Sequence, residues 1–88
     1  MTAQAAAATW SAALGQLQLS VTRANFDTWL RDTVGLRHDD DAFVVGAPNE
    51  FAIEWLNVRM KPLLVKALSG VLGHGTDVRF EVIRHDDA

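Results

Sequence analysis

The spacing of apolar residues changes from a helical period to an alternating one along this chain, and that change constrains the fold more than any other feature. From Trp10 onward, apolar side chains recur at three- and four-residue intervals, which places them on one face of a helix that ends near Leu19. Thr22 can cap a second helix, and Val21 can pack on Phe26 as a hydrophobic staple. The second helix is predicted to turn three side chains toward the core: Phe26, Trp29 and Leu30.

Beyond Thr33 the apolar residues alternate with other residues, as they do in strands. The two alternating runs contain Val34 and Leu36, then Phe43, Val45 and Ala47. The acidic run 39–41 lies between them, and aspartate tolerates turn geometry because it bonds its own backbone. The sequence therefore predicts a β-hairpin with the acidic run as its turn.

A third helix is predicted after Pro48, with Asn49 as its N-cap and Glu50 adding favourable negative charge to its first turn. Its core positions follow helical spacing: Ala52, Ile53, Leu56 and Met60. Pro62 has no N–H, so we expect it to kink this helix near 59–61 and to sit in the first turn of a second piece. That second piece is predicted to bury another apolar set: Leu64, Ala67, Leu68 and Val71.

Gly73 and Gly75 supply the left-handed conformations that end a helix, and residues 78–82 alternate as a third strand. The predicted fold class is α+β, a small three-stranded sheet with helices packed on one face, in the order ααββαβ with a kinked third helix. The chain is expected to divide into a flexible tail, one domain and a second flexible tail: 1–8, 9–83 and 84–88. With no cysteine in 88 residues, disulfides and thiolate metal sites are excluded, and packing alone must stabilise the domain.

Charge and motif content argue against several function classes. A formal net charge of -3 disfavours strong nucleic-acid binding. His38, His74 and His85 fall in predicted turns or the tail without a nucleophile partner, and no phosphate-loop motif occurs, so we expect neither enzyme activity nor a cofactor. The acidic residues beside His38 and His85 are not held convergently, so no metal site is predicted. The N-terminus has no Lys or Arg and no long apolar run, so it is predicted to be neither a signal peptide nor a membrane span. The absence of cysteine fits a reducing cytoplasm.

Three segments carry a family resemblance. They are 26–30 (FDTWL), 47–56 (APNEFAIEWL) and 78–82 (VRFEV). In this order and at these separations, they resemble the N-terminal domain of the bacterial replication initiator DnaA, over about residues 10–82. The resemblance implies a fold similar to type II KH domains. It also implies weak self-association, recruitment of the replicative helicase DnaB and docking of regulators of initiation.

Phe51 is the leading site residue. At about 100° per residue, its side chain points well away from the predicted buried face of the third helix, so it should be at least partly exposed. A single exposed apolar residue is common and needs no function, which is the alternative. The resemblance implies that this position contacts the helicase and regulators, and an exposed aromatic residue is typical of an interface hot spot.

The resemblance implies further site residues around Phe51. Thr28, Trp29 and Ala52 match the face on which regulators dock, although Trp29 also falls on the predicted core face. Asn25 matches a position of the helicase-binding surface that is often acidic in the family, so this chain lacks that charge. Trp55, one turn after Phe51, either extends the same surface or turns inward.

Two interpretations stay open for Trp10. The family uses an aromatic residue near the start of the first helix for homotypic contact, and Trp10 is its counterpart. The helical spacing instead puts Trp10 on the core face, because amphipathic helices bury their aromatic residues more often than they present them.

The alternative function is weak binding of single-stranded nucleic acid by a KH-like module. KH domains clamp a nucleotide backbone with a G-x-x-G loop, and 70–73 matches that pattern formally. The glycines flank two apolar residues at a predicted helix end, however, and Gly73 is better explained as a C-cap. The cations available for such binding are scattered: Arg23, Arg31, Arg59 and Lys61.

Overall fold

Helices and strands follow one another in the predicted order in a computed structural model that describes residues 2–39 and 41–83. The strands are β1 (Val34–His38), β2 (Ala42–Ala47) and β3 (Asp77–Val82). The helices are α1 (Ala3–Leu17), α2 (Arg23–Asn25), α3 (Glu50–Trp55) and α4 (Lys61–Leu72). Two of them continue as π-helical turns: α2 through Phe26–Leu30, and α3 through Leu56–Met60. The α+β class and the ααββαβ order are confirmed.

The first helix begins earlier than the sequence pattern suggests. Thr2 caps α1, because its hydroxyl oxygen accepts a hydrogen bond from the Ala5 N–H at 3.0 Å. Ala6 is completely buried. Residues 3–8 therefore belong to α1 and not to a tail, and alanine hides this because a run of small side chains shows no apolar periodicity. The predicted tail 84–88 lies outside the described residues.

The central strand β2 pairs antiparallel with β1 and parallel with β3. The register between β1 and β2 shifts between Gly35 and Arg37, which is a β-bulge. Gly35 faces α1 at very close range: a Cβ atom added there would lie 2.5 Å from the Ala6 carbonyl oxygen and 2.6 Å from the Trp10 Cβ atom. The backbone of α1 therefore rests directly on β1, which only glycine permits.

The core lies between the sheet and the helices. Its largest members come from all of the longer elements: Trp10, Leu17, Leu30, Phe43, Val45, Leu56, Leu64, Leu68 and Val78. The helical region that follows β2 is interrupted near the position predicted from Pro62, where Met60 has a φ of -116°. The π-helical turn ends at Met60, and Pro62 lies in the first turn of α4. Gly73 ends α4 in the left-handed conformation, with φ of 81°.

The opposite face of the sheet is covered by side chains. Arg37 on β1 and Glu81 on β3 form a two-pronged ion pair that crosses the central strand. Arg37 is the register partner of Val44, which is 1% exposed although it is not a member of the hydrophobic core cluster of the described residues. We infer that the two long side chains shield Val44 from water with their aliphatic parts.

This ion pair predicts a loss of stability in acid. The hydrogen bond from Arg37 lowers the pKa of Glu81 below its ordinary value of 4.5. The pKa of Asp77 is also lowered, mainly because its Oδ1 accepts a hydrogen bond from the Val78 N–H at 2.8 Å. Because both folded pKa values lie below the unfolded ones, the stabilisation is complete above about pH 4.5 and disappears as the pH falls through the folded values.

Urea midpoints measured from pH 6 to pH 3 should therefore fall, and the fall should be shallower in Glu81→Gln. Glu54→Gln is the matched control, since it removes an exposed carboxylate with no ion-pair partner among the described residues. Identical pH profiles for Glu81→Gln and the parent chain would contradict the prediction.

Candidate functional site

Three aromatic rings meet on the surface where α3 lies beside the turn that follows α2. The Trp29 and Trp55 rings are stacked, with centroids 4.4 Å apart and planes within 7°. The Phe51 ring tilts against Trp29 at 5.6 Å. Phe51 is 71% exposed, whereas both tryptophans are half-buried and pack on the core. We call this surface, together with the neighbouring Val58, the aromatic patch (Trp29, Phe51, Trp55 and Val58).

The start of α3 explains why Phe51 points outward. The Asn49 side chain accepts a hydrogen bond from the Ala52 N–H at 2.8 Å, which fixes where the helix begins. Phe51 then falls in the first turn on the outer side, and the next residue, Ala52, falls on the core side. Trp55 follows Phe51 by four residues and therefore lies one turn further along the same face.

The π-helical turn after α2 sets the orientation of Trp29. The Arg31 N–H bonds to the Phe26 carbonyl at 3.0 Å, five residues back instead of four. In this widened turn Leu30 is 1% exposed in the core, and Trp29 lies at the core boundary. The sequence left open whether Trp29 belongs to the core or to a partner-binding face. In the structure it packs on the core and also forms part of the patch.

Val58 completes the patch and was missed by the sequence analysis. It is 71% exposed and follows Phe51 by seven residues. Phe51, Trp55 and Val58 line a shallow groove of about 180 Å³, with Glu54 and Arg59 as its charged neighbours. The spacing i, i+4, i+7 was visible in the sequence, on the side of the helix away from the core positions, and could have revealed this second apolar stripe.

The other predicted partner-binding residues differ in their exposure to solvent. Asn25 and Thr28 are exposed on the segment that carries Trp29. Ala52 is 5% exposed and belongs to the core. This corrects the expectation that Ala52 faces a partner: the N-cap at Asn49 turns it inward, so it supports the patch from below.

Trp10, the predicted self-association residue, is 2% exposed. Its ring stacks on Phe43 with centroids 6.2 Å apart, and its indole N–H donates to the Thr33 hydroxyl oxygen at 2.9 Å. The Thr33 hydroxyl donates in turn to the Leu30 carbonyl. Direct contact between this ring and a second copy does not fit the structure, because the ring has almost no free surface. The core interpretation of Trp10 fits the structure.

The G-x-x-G segment is part of a helix end. Gly70 lies inside α4, and Gly73 is its C-cap, with its N–H bonded to the Ser69 carbonyl at 2.9 Å. The segment is therefore not shaped as an open loop around a nucleotide backbone. Within the described part of the chain, no helix is both long and apolar enough to cross a membrane.

Comparison with known proteins identifies a family and a relative that this chain resembles. Residues 7–70 match the family model described as the DnaA N-terminal domain. The chain is 37% identical over 78 residues to the chromosomal replication initiator protein DnaA of Thermomicrobium roseum, an alignment that covers 89% of this chain. The same alignment covers 17% of that protein, so the chain spans a small part of the length of this curated relative.

Proposed function

Because the chain belongs to the DnaA N-terminal domain family, we propose that it is a protein-interaction module whose aromatic patch recruits the replicative helicase DnaB or a regulator of initiation. The observation that carries the proposal is the exposed ring of Phe51, which lies against Trp29 of a stacked tryptophan pair. Interfaces draw most of their binding energy from a few central side chains, and aromatic residues are prominent among them.

The packing of the patch favours binding. Trp29 and Trp55 hold each other in fixed positions by stacking, and both pack on the core. Ordering a side chain on binding costs about 0.5–1.5 kcal/mol, and a pre-ordered surface avoids much of that cost. Phe51 therefore presents its ring from a rigid base.

The charges around the patch are of both signs. Glu54 and Arg59 border the groove. Asn25, exposed on the segment that carries Trp29, is neutral where the family resemblance implies an acidic residue. We therefore expect the affinity for a partner to depend mainly on apolar contact and only weakly on salt concentration.

Phe51→Ala is expected to weaken helicase or regulator binding by about 30-fold, the effect of losing a hot-spot side chain worth about 2 kcal/mol. Stability should change little, because most of the ring is in solvent. Surface plasmon resonance with the immobilised domain and purified DnaB measures the affinity, and circular dichroism verifies that the variant is folded.

Leu19→Ala is the matched control, because Leu19 is another large apolar residue, 89% exposed, that lies outside the aromatic patch. It should leave the affinity unchanged. Equal DnaB affinities for Phe51→Ala and the parent chain, repeated with the candidate regulators, would remove Phe51 from the site.

The proposal includes weak self-association, which rests on the family resemblance alone. Since Trp10 is buried, the contact would use the outward face of α1 beside it. Sedimentation equilibrium over a wide concentration range should show a reversible dimer. A strict monomer at every concentration would refute this part of the proposal.

We also propose that the module works in the cytoplasm, needs no cofactor and catalyses no reaction itself. The patch consists of aromatic and aliphatic side chains, which bind and do not transfer protons or groups. Nucleic-acid binding by this domain would have to overcome the net charge of -3.

A further inference from the structure

Two histidine rings lie close together, tilted by 50° to one another. His38 is the last residue of β1, and His74 lies in the turn between α4 and β3. Their ring centroids are 5.8 Å apart. His38 is half-buried, with its ring 6.0 Å from that of Phe43, whereas His74 is exposed. The pair therefore combines one side chain held against the core with one that is open to solvent.

Among the described residues, one ring nitrogen of His38 has a hydrogen-bond partner, Thr76. The Thr76 hydroxyl has one hydrogen, and it donates that hydrogen to the Asp77 carbonyl at 3.0 Å. With that hydrogen engaged, the Thr76 oxygen is an acceptor for His38 Nε2, which lies 3.1 Å away. In the neutral imidazole the proton is then on Nε2, and Nδ1 keeps a lone pair.

The same reasoning fixes His74. Its Nδ1 lies 3.1 Å from the Gly75 carbonyl oxygen, which can only accept a hydrogen bond. The proton of the neutral ring is therefore on Nδ1, and Nε2 keeps the lone pair. A histidine that donates one N–H to a carbonyl or hydroxyl and keeps the other nitrogen free has the arrangement usual for metal ligands.

We propose that His38 Nδ1 and His74 Nε2 bind one transition-metal cation of the class that prefers imidazole, namely Zn²⁺, Cu²⁺ or Ni²⁺. Two imidazole nitrogens at about 2.0–2.1 Å from one ion put the ring centroids about 5–6 Å apart, and the observed 5.8 Å agrees. Among the described residues no third His, Cys, Asp or Glu completes the group. The bound ion joins the end of β1 to the turn before β3.

The test is thermal unfolding of the chain in increasing ZnCl₂. The melting temperature should rise with zinc concentration, because the ion binds the folded pair. His74→Ala, which changes an exposed residue, and His38→Gln should each abolish the rise. His85→Ala removes the third histidine as a control and should retain it, and MgCl₂ should have no effect, because Mg²⁺ prefers oxygen ligands.

No zinc effect on the parent chain, a full effect in His74→Ala or loss of the effect in His85→Ala would each overturn the proposal. Long-range ¹⁵N NMR of the metal-free protein at neutral pH is an independent readout. It should show His38 protonated on Nε2 and His74 protonated on Nδ1, and the opposite tautomer at either residue would also overturn it.

Discussion

Trp10→Ala is expected to lower the free energy of unfolding by about 3–5 kcal/mol, the cost of removing a large buried aromatic side chain. The ring is 2% exposed and stacks on Phe43, so its removal leaves a cavity between α1 and the sheet. The Thr33 hydroxyl oxygen also loses the hydrogen bond that it accepts from the indole N–H. Because small domains are stable by only a few kcal/mol, a large fraction of the variant should be unfolded at 25 °C. Urea denaturation followed by far-UV circular dichroism measures the change.

Trp10→Phe separates the contribution of the aromatic ring to stability from that of the hydrogen bond. It keeps an aromatic side chain beside Phe43 but lacks the N–H, so the loss should be smaller and include about 1 kcal/mol for the hydrogen bond. A Trp10→Ala variant with an unchanged urea midpoint and a weakened dimer would contradict the structure, because it would show that the ring is on the surface.

Gly35→Ala is the second change with a large expected effect, about 3 kcal/mol of destabilisation, at the upper end of what overpacking costs. The new Cβ atom would lie 2.5 Å from the Ala6 carbonyl oxygen and 2.6 Å from the Trp10 Cβ atom. Both obstacles are attached rigidly to the backbone of α1, so neither can rotate away. The helix must move off the strand, which opens the core at Trp10, and chemical denaturation measures the loss.

Gly15→Ala is the matched control, because it adds the same methyl group to a glycine of α1 that has nothing within 4 Å of the new atom. It should stabilise the domain by up to about 1 kcal/mol, the difference in helix propensity between the two residues. Equal effects of the two substitutions would mean that α1 does not rest on β1 at Gly35.

The candidate site was partly accessible from the sequence. Phe51 could be identified because helical spacing assigns an outward direction to a residue once the core face of its helix is known. Trp29 and Trp55 could not be assigned in the same way, since each lies at the boundary between core and surface. Val58 could not be identified from the core stripe of its helix, because it belongs to the apolar stripe on the other side.

Local chemistry by itself determined the type and order of the elements, the caps at Thr22 and Asn49, the helix end at Gly73 and the interruption before Pro62, because hydrophobic period, capping and backbone freedom act within a few residues. Only the tertiary structure decided that Trp29 stacks on Trp55, that Gly35 supports α1 and that His38 meets His74. These pairs are separated by tens of residues, and contacts of that kind form only when the whole chain packs around one core.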